Sequence, residues 1–365
     1  MKITIGIPCY KAQKTICDCL SSIQIQSVKN DLEIILAKDH PADDYNFVKE
    51  CFPDLDIKIL GCEKNTGPGL ARQRALDAAT GDWITFIDAD DVFMGPLAIE
   101  GLLRGIQPNV IEVQGIFYQE VTDHPQGLRL IPQDNPNHPW VFGRLYNVAF
   151  LRENKIAFSE LRAMEDGEFN WKIRMSIEGS PLMINLVQEP IYFWRVGSEH
   201  SITRIGVEDG IPQYNFDLCQ VGATTAAINA VKFCRAKNPF NAGIMRFAVE
   251  NMVGQYFTYV ECCERKPVFA EQNFFNAKKF YNECYKQYEH LIDENILKDL
   301  YTFQMTQKSQ DLLGIIPSIT FFDFLKKVKS EPYGGEEEFN KIRKKLPEYI
   351  IKNDEKSGVL GERKE

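Results

Sequence analysis

Asp88, Asp90 and Asp91 place three carboxylates within four residues. Like charges that close repel one another unless water or a cation neutralises them. A hard divalent ion carrying phosphate oxygens suits such a group, because Mg²⁺ takes one or two carboxylates and draws its other ligands from substrate and water. A second acidic pair follows at Glu165-Asp166. It falls at the start of a helical pattern. The plainer reading is an acidic first turn that favours the helix dipole. Arg72 and Arg74 lie early in another helical pattern, where N-terminal amides and guanidinium groups suit an anionic ligand. Their plainer reading is a solvated arginine pair.

The elements that must position these groups follow from periodicity. Trp83 to Ile87 is an apolar, β-rich run, as expected of a strand covered on both faces, and Gly81 before it permits a sharp turn. The aspartates therefore fall at the carboxyl end of a strand, where open α/β sheets bind ligands. Ile3–Ile7, Leu32–Leu36 and Ile57–Leu60 predict three more buried strands, separated by helical patterns at Thr15–Ile25 and Tyr45–Cys51. This is β-α-β-α-β, the opening of a doubly wound sheet. Thr66 is the expected N-cap of the next helix and Pro68 its first turn. Leu70, Ala71, Ala75, Leu76 and Ala79 would face the sheet and Gly81 would close the helix. Val110–Val113, Ile116–Val121, Leu182–Val187 and Ile191–Val196 read as strands, and Thr122–Pro139 as a proline-rich loop. Phe169, Ile173 and Ile177 share one face of a helix that Glu165-Asp166 opens.

The 365 residues carry a net charge of -9, which argues against a dedicated nucleic-acid binder. Ten cysteines include no Cys-x-x-Cys and sit among apolar residues, which suits reduced thiols in the cytoplasm. Met1-Lys2 runs straight into a strand with no secretory signal, and no window approaches 18 uninterrupted apolar residues. Beyond residue 207 the pattern becomes helical and rich in aromatics, after a linker-like Glu208–Pro212. The expected partition is 1–207, a helical domain 208–330, and a charged, partly flexible tail 331–365 that begins with a loop at Glu331–Glu338. Phe274, Phe275, Phe280, Tyr281, Tyr285 and Tyr288 fit a packed helical core, with a sugar-stacking platform as the alternative. Phe321–Lys329 combines apolar and basic residues suited to a bilayer surface, which would place the protein at the inner membrane face.

Taken in order, the motifs resemble family 2 glycosyltransferases of the GT-A fold. The resemblance runs through Ile5–Tyr10, Glu33–Asp39, Asn65-Thr66-Gly67, Ala71-Arg72, Gly81-Asp82, Asp88–Asp91, Trp140–Tyr146, Glu165-Asp166 and Tyr192–Thr203, and covers residues 1 to about 205. Lys38 departs from it, standing where the family has the first of two aspartates, and Arg144 replaces a lysine. The resemblance implies an α/β fold, a doubly wound, Rossmann-like mixed sheet, here with a mainly α-helical C-terminal extension. It implies that Pro8, Tyr10 and Asp39 hold a nucleoside, with uridine expected, and that Asn65, Gly67, Arg72, Asp88 and Ala89 belong to the nucleotide-sugar site. Asp90, with Asp88 and His200, would hold Mn²⁺ or Mg²⁺, and Asp166 would be the general base of an inverting transfer to an acceptor hydroxyl. Surface polysaccharide or glycoconjugate is the expected acceptor. A modified base in viral DNA and a protein side chain are alternatives. An inert nucleotide- or glycan-binding module and a nucleotidyltransferase are the competing classes, the latter disfavoured because Pro8–Ala12 has no glycine.

Overall fold

A computed structural model of the chain describes residues 1–121, 129–133, 138–161, 163–195, 204–208, 211–214, 216–239, 241–308, 315 and 317–345. The chain divides into two units, residues 1–170 with 179–213, and residues 171–178 with 214–365.

The first unit is built on β1 (Ile3–Cys9), whose Ile3, Ile5 and Ile7 have no exposed surface. It runs parallel to β2 (Leu32–Lys38) on one side. On the other lies β4 (Trp83–Phe86), also parallel. Beyond β2 lies β3 (Ile57–Leu60). Chain order reverses direction at β1, which makes the crevice between β1 and β4 the switch point where such sheets take ligands. The remaining strands are β5 (Val92–Phe93), β6 (Val110–Val121), β7 (Arg129–Gln133), β8 (Arg144–Asn147) and β9 (Met183–Trp194). The order is β3-β2-β1-β4-β8-β6-β9-β5, with β7 on β6. Because β8 is antiparallel to both β4 and β6, the sheet is mixed. Helices α1 (Ile16–Gln24), α2 (Phe47–Cys51) and α4 (Ala98–Arg104) cover one face, and α3 (Pro68–Ala78) the other. Alternate β2 residues serve the two faces, Ile34 and Leu36 packing on one side, Ile35 and Ala37 on the other. The short helix α5 (Val148–Glu153) follows β8, and α6 (Glu165–Ile177) begins in this unit and ends in the second.

Several expectations are corrected. The strands expected as pairs are each one continuous strand, β6 over Val110–Val121 and β9 over Met183–Trp194, with the apparent break in β6 a shift of register against β9 around Gly115. Part of the proline-rich loop is β7, whose Pro132 is tolerated because, among the described residues, β7 pairs only with β6. The N-cap of α3 is Gly67, not Thr66, because the Thr66 amide and hydroxyl both donate to Asp39. Gly81 does not close α3, which ends at Ala78. Its amide donates to Thr4 Oγ1 at 3.0 Å, and a Cβ there would stand 2.7 Å from the Thr4 nitrogen. Close approach, not a turn, requires this glycine.

Strands β10 (Arg204–Glu208) and β11 (Ile211–Tyr214) pair where a linker was expected. The intervening Asp209-Gly210 is a hairpin signal in the sequence.

The second unit contains α7 (Phe216–Lys237), α8 (Ala242–Arg265), α9 (Ala270–Glu283), α10 (Glu294–Lys308), α11 (Phe321–Ser330) and α12 (Gly335–Arg343), together with Trp171–Glu178. Phe274, Phe275, Phe280, Tyr281, Tyr285 and Tyr288 are all buried, as a packed helical core requires. The inward face of α11 is Phe321, Phe324, Leu325 and Val328, all buried. The apolar side that would have met a bilayer is therefore consumed by packing, and Phe322 alone among the large apolar side chains of α11 is exposed. The expected loop and tail from 331 onward instead include α12, with Glu336, Glu337 and Glu338 in its first turn. Buried Lys278 of α9 bonds Glu338 and the Pro332 carbonyl, and Ile342 is buried. No helix among the described residues is long and apolar enough to cross a membrane.

Candidate active site

Arg72 joins the two acidic motifs. Strand β4 delivers Asp88 to the carboxyl edge of the sheet, α3 carries Arg72, and Glu165-Asp166 open α6. Arg72 is buried and donates from Nη2 to Asp88 Oδ1 and from Nη1 to Glu165 Oε1, each at 2.6 Å. The first turn of α3 reaches Glu165 because residue 69 is glycine: a Cβ there would lie 2.8 Å from Glu165 Cγ. Met164, just before the pair, has φ of 66°, a left-handed conformation that a side chain seldom adopts unless its surroundings enforce it. Asp166 is half-buried and its Oδ1 accepts from the Gly167 amide at 2.8 Å. Burial raises the carboxyl groups of both Glu165 and Asp166 above the usual range. Asp166 repels the Glu165 charge and Asp88 the Asp166 charge, while Arg72 opposes both shifts. Three carboxylates thus share one guanidinium, and the site holds an excess of negative charge.

The aspartates after β4 do not converge. Asp88 turns to Arg72, whereas Asp91 is 2 % exposed and accepts from the Tyr192 hydroxyl and, at 2.8 Å, from the Arg195 amide. Burial pushes the Asp91 carboxyl up, with Asp90 and Asp88 adding to the shift. Arg195 Nε donates to the Asp90 carbonyl at 2.6 Å, so β9 braces the whole loop. Asp90 itself is half-buried, and the Ala89 side chain packs into the core. Among the described residues no three of His, Cys, Asp and Glu gather into a metal-binding group. His200 lies outside the described residues.

At the other end of the edge, Tyr10 follows β1 with 36 % of its surface exposed, and Pro8 is half-buried. Asp39 is only 3 % exposed. Its oxygens accept from the Thr66 amide at 2.8 Å, the Thr66 hydroxyl at 3.0 Å and the Gly67 amide at 2.8 Å. This carboxylate therefore anchors the start of α3, with half-buried Asn65 just before it. Arg74 joins the same junction, donating to Thr66 Oγ1 and to the Lys38 carbonyl. Sequence reasoning missed Gly69, Tyr192 and Arg195. The Tyr-x-x-Arg spacing at a strand end was the available signal, and it gains meaning only once Asp91 is known to be buried.

The sequence model of glycosyl transferase family 2 matches residues 4–159, which span β1 through α5 and hold Tyr10, Asp39, Arg72 and the aspartate loop. Residues 4–159 are a glycosyl transferase family 2 domain. Among curated relatives, the chain is 25 % identical over 247 residues to a poly(ribitol-phosphate) beta-glucosyltransferase of Bacillus spizizenii, covering 64 % of this chain and 37 % of that one. It is 35 % identical over 232 residues to the glycosyltransferase GlyA of Streptococcus pneumoniae, covering 57 % and 32 %. The matches thus span about a third of the length of these relatives. Among solved structures, Staphylococcus aureus TarS residues 1–349, crystallised with UDP-GlcNAc, gives a TM-score of 0.63 at 18 % identity over 83 % of this chain and 87 % of that one. That likeness is one of fold. It places this glycosyltransferase domain on the GT-A scaffold, with a helical C-terminal portion.

Proposed function

We propose that the protein transfers a sugar from a nucleotide-sugar to an acceptor hydroxyl with inversion, in the assembly of a surface polysaccharide or glycoconjugate. The observation that carries the reading is the Arg72 bridge, which gathers Asp88, Glu165 and Asp166 at the switch point of the sheet. In the reaction the acceptor oxygen bonds to the anomeric carbon as the bond to the diphosphate breaks. Asp166 takes the hydroxyl proton, and the nucleoside diphosphate departs. Its raised carboxyl matches that task, because a base works best with a pKa near the operating pH. Glu165, held by Arg72, positions the helix start beside the base. The excess negative charge fits a divalent cation, which Asp90, with Asp88, would help to hold. Such an ion, Mn²⁺ or Mg²⁺, would supply Lewis-acid stabilisation of the leaving group. The names of the curated relatives support a polymer acceptor, poly(ribitol phosphate) being the first to offer. The test is mass spectrometry of products from a panel of nucleotide-sugars, UDP-sugars first, with Mn²⁺ or with a chelator. Glycosylated product that disappears with the chelator is expected. Hydrolysis or transfer unaffected by the chelator would overturn the metal, and no turnover of any donor would overturn the transferase.

A further inference from the structure

We propose that His40 is a nucleobase-contacting residue that forms a corner with Tyr10, and that Asp43 and Tyr45 position that corner. The inference rests on the nucleotide-sugar reading above and assigns residues that reading does not use. Tyr10 and His40 follow the carboxyl ends of the neighbouring strands β1 and β2, on the side of the switch point away from the acidic loop. A nucleotide whose diphosphate lies near Asp88 and Asp90 would place its base in this direction. The two rings stand 5.9 Å apart at 69°, and both are partly open to solvent. A planar base laid on one ring meets the rim of the other, an arrangement that aromatic quadrupoles favour. Lys11 Nζ lies 5.2 Å from the Tyr10 ring centre and adds a cation at the same mouth.

What makes the corner more than two surface rings is how it is held. Lys11 has φ of 49°, an unfavourable left-handed conformation for a side-chain-bearing residue. Its amide is captured by Asp43 Oδ2 at 2.6 Å. The Tyr45 hydroxyl donates to the same oxygen at 3.1 Å and accepts from the Ala12 amide at 2.9 Å. The other Asp43 oxygen stands 3.6 Å from His40 Nδ1. Asp43 and Tyr45 are 6 % and 1 % exposed. One buried carboxylate and one buried phenol therefore fix the turn that presents Tyr10, and the same carboxylate stands beside the His40 ring. A strained backbone so closely over-determined is the mark of a site that must be rigid before its ligand arrives.

The experiment is calorimetric titration of the full chain with UDP, GDP, CDP and ADP, with the free nucleoside of the preferred base, and with inorganic pyrophosphate, each with Mn²⁺. Base stacking sets the scale: His40→Ala should weaken the preferred diphosphate and its nucleoside alike by about 5- to 20-fold, and leave pyrophosphate unchanged. His40→Phe, which keeps a ring, should recover most of the loss. Tyr45→Phe and Asp43→Asn should raise the donor KM about 3- to 10-fold with kcat at saturating donor unchanged, as for residues that only position a binding group. Wild-type affinity in His40→Ala, an equal loss for pyrophosphate, or no recovery in His40→Phe would each overturn the assignment while the donor reading stands. A wild-type chain that binds none of the diphosphates would overturn both.

Discussion

Replacing Arg72 with methionine should destabilise the glycosyltransferase domain by an amount that depends on pH in a defined direction. Arg72 is buried and holds Asp88 and Glu165, with Asp166 beside them. Removing one partner of a buried ion pair typically costs about 3–5 kcal/mol, because charges are left uncompensated away from water. The carboxyl groups of Glu165 and Asp166 are already raised by burial, and losing the guanidinium must raise them further. A carboxyl raised in the folded state holds a proton that the unfolded chain releases above about pH 4. Stability tied to that proton is present at low pH and is lost as pH rises toward the folded value. Each pH unit is about 1.4 kcal/mol per proton, so one further retained proton contributes about 2.7 kcal/mol between pH 8 and pH 6. The penalty of Arg72→Met should accordingly fall from about 3–5 kcal/mol at pH 8 to about 0–2 kcal/mol at pH 6. Urea unfolding of wild type and variant at both values measures it. A penalty that is constant, or larger at pH 6, would refute the shared-charge account of this site.

Asp90→Ala should abolish Mn²⁺-dependent binding of nucleoside diphosphate while leaving the circular dichroism spectrum intact. Calorimetry reads this directly. Asp166→Asn should keep donor affinity within a few-fold and lower kcat by about 10²-fold or more, the usual scale of general base catalysis. In the wild type, the acid limb of kcat/KM should lie above the ordinary carboxylate range, because activity needs Asp166 ionised and burial holds its proton on. Gly81→Ala should cost about 1–3 kcal/mol in thermal unfolding, since its Cβ would press on the Thr4 nitrogen. In the helical unit, Glu338→Ala should cost about 1–3 kcal/mol, because it leaves the ammonium of Lys278, which is 4 % exposed, to the Pro332 carbonyl and the more distant Glu331 carboxylate.

The parallel half of the sheet was legible because each strand is a short, mostly apolar run bounded by helical periodicity. Ile3–Ile7 and Leu32–Leu36 are of that kind, and their structural burial matches the pattern. The antiparallel additions were less legible. Gly115 and Pro190 look like strand breaks, and only pairing with a neighbour shows that the backbone runs on through them. The acidic site was legible as two motifs but not as one charge cluster. Arg72 reads equally well as a solvated arginine or an anion ligand until the 93-residue separation from Glu165 is closed in space. Crowding three aspartates into four residues suggested convergence, yet local sequence cannot reveal that Asp91 turns inward to Tyr192, 101 positions away. That Asp39 also anchors the start of α3 was equally hidden. Its donors, Thr66 and Gly67, come from a distant turn. In α12, the run of glutamates resembled a solvated tail because its anchoring partner, Lys278, stands 60 residues earlier.

The boundary inside α6 constrains how such a protein can be cut or recombined. Residues 171–178 belong with the C-terminal helices although 179–213 return to the glycosyltransferase domain. Met175 is 3 % exposed within the helical core, and its carbonyl accepts from the Asn241 side chain at 3.0 Å. A chain stopped at residue 207 would keep this half-helix and lose what buries it, so it would present a raw apolar stripe and aggregate. The helical part cannot be exchanged between related enzymes by joining ends at a loop. A graft would have to bring its own counterpart of Trp171–Glu178 along with the C-terminal helices.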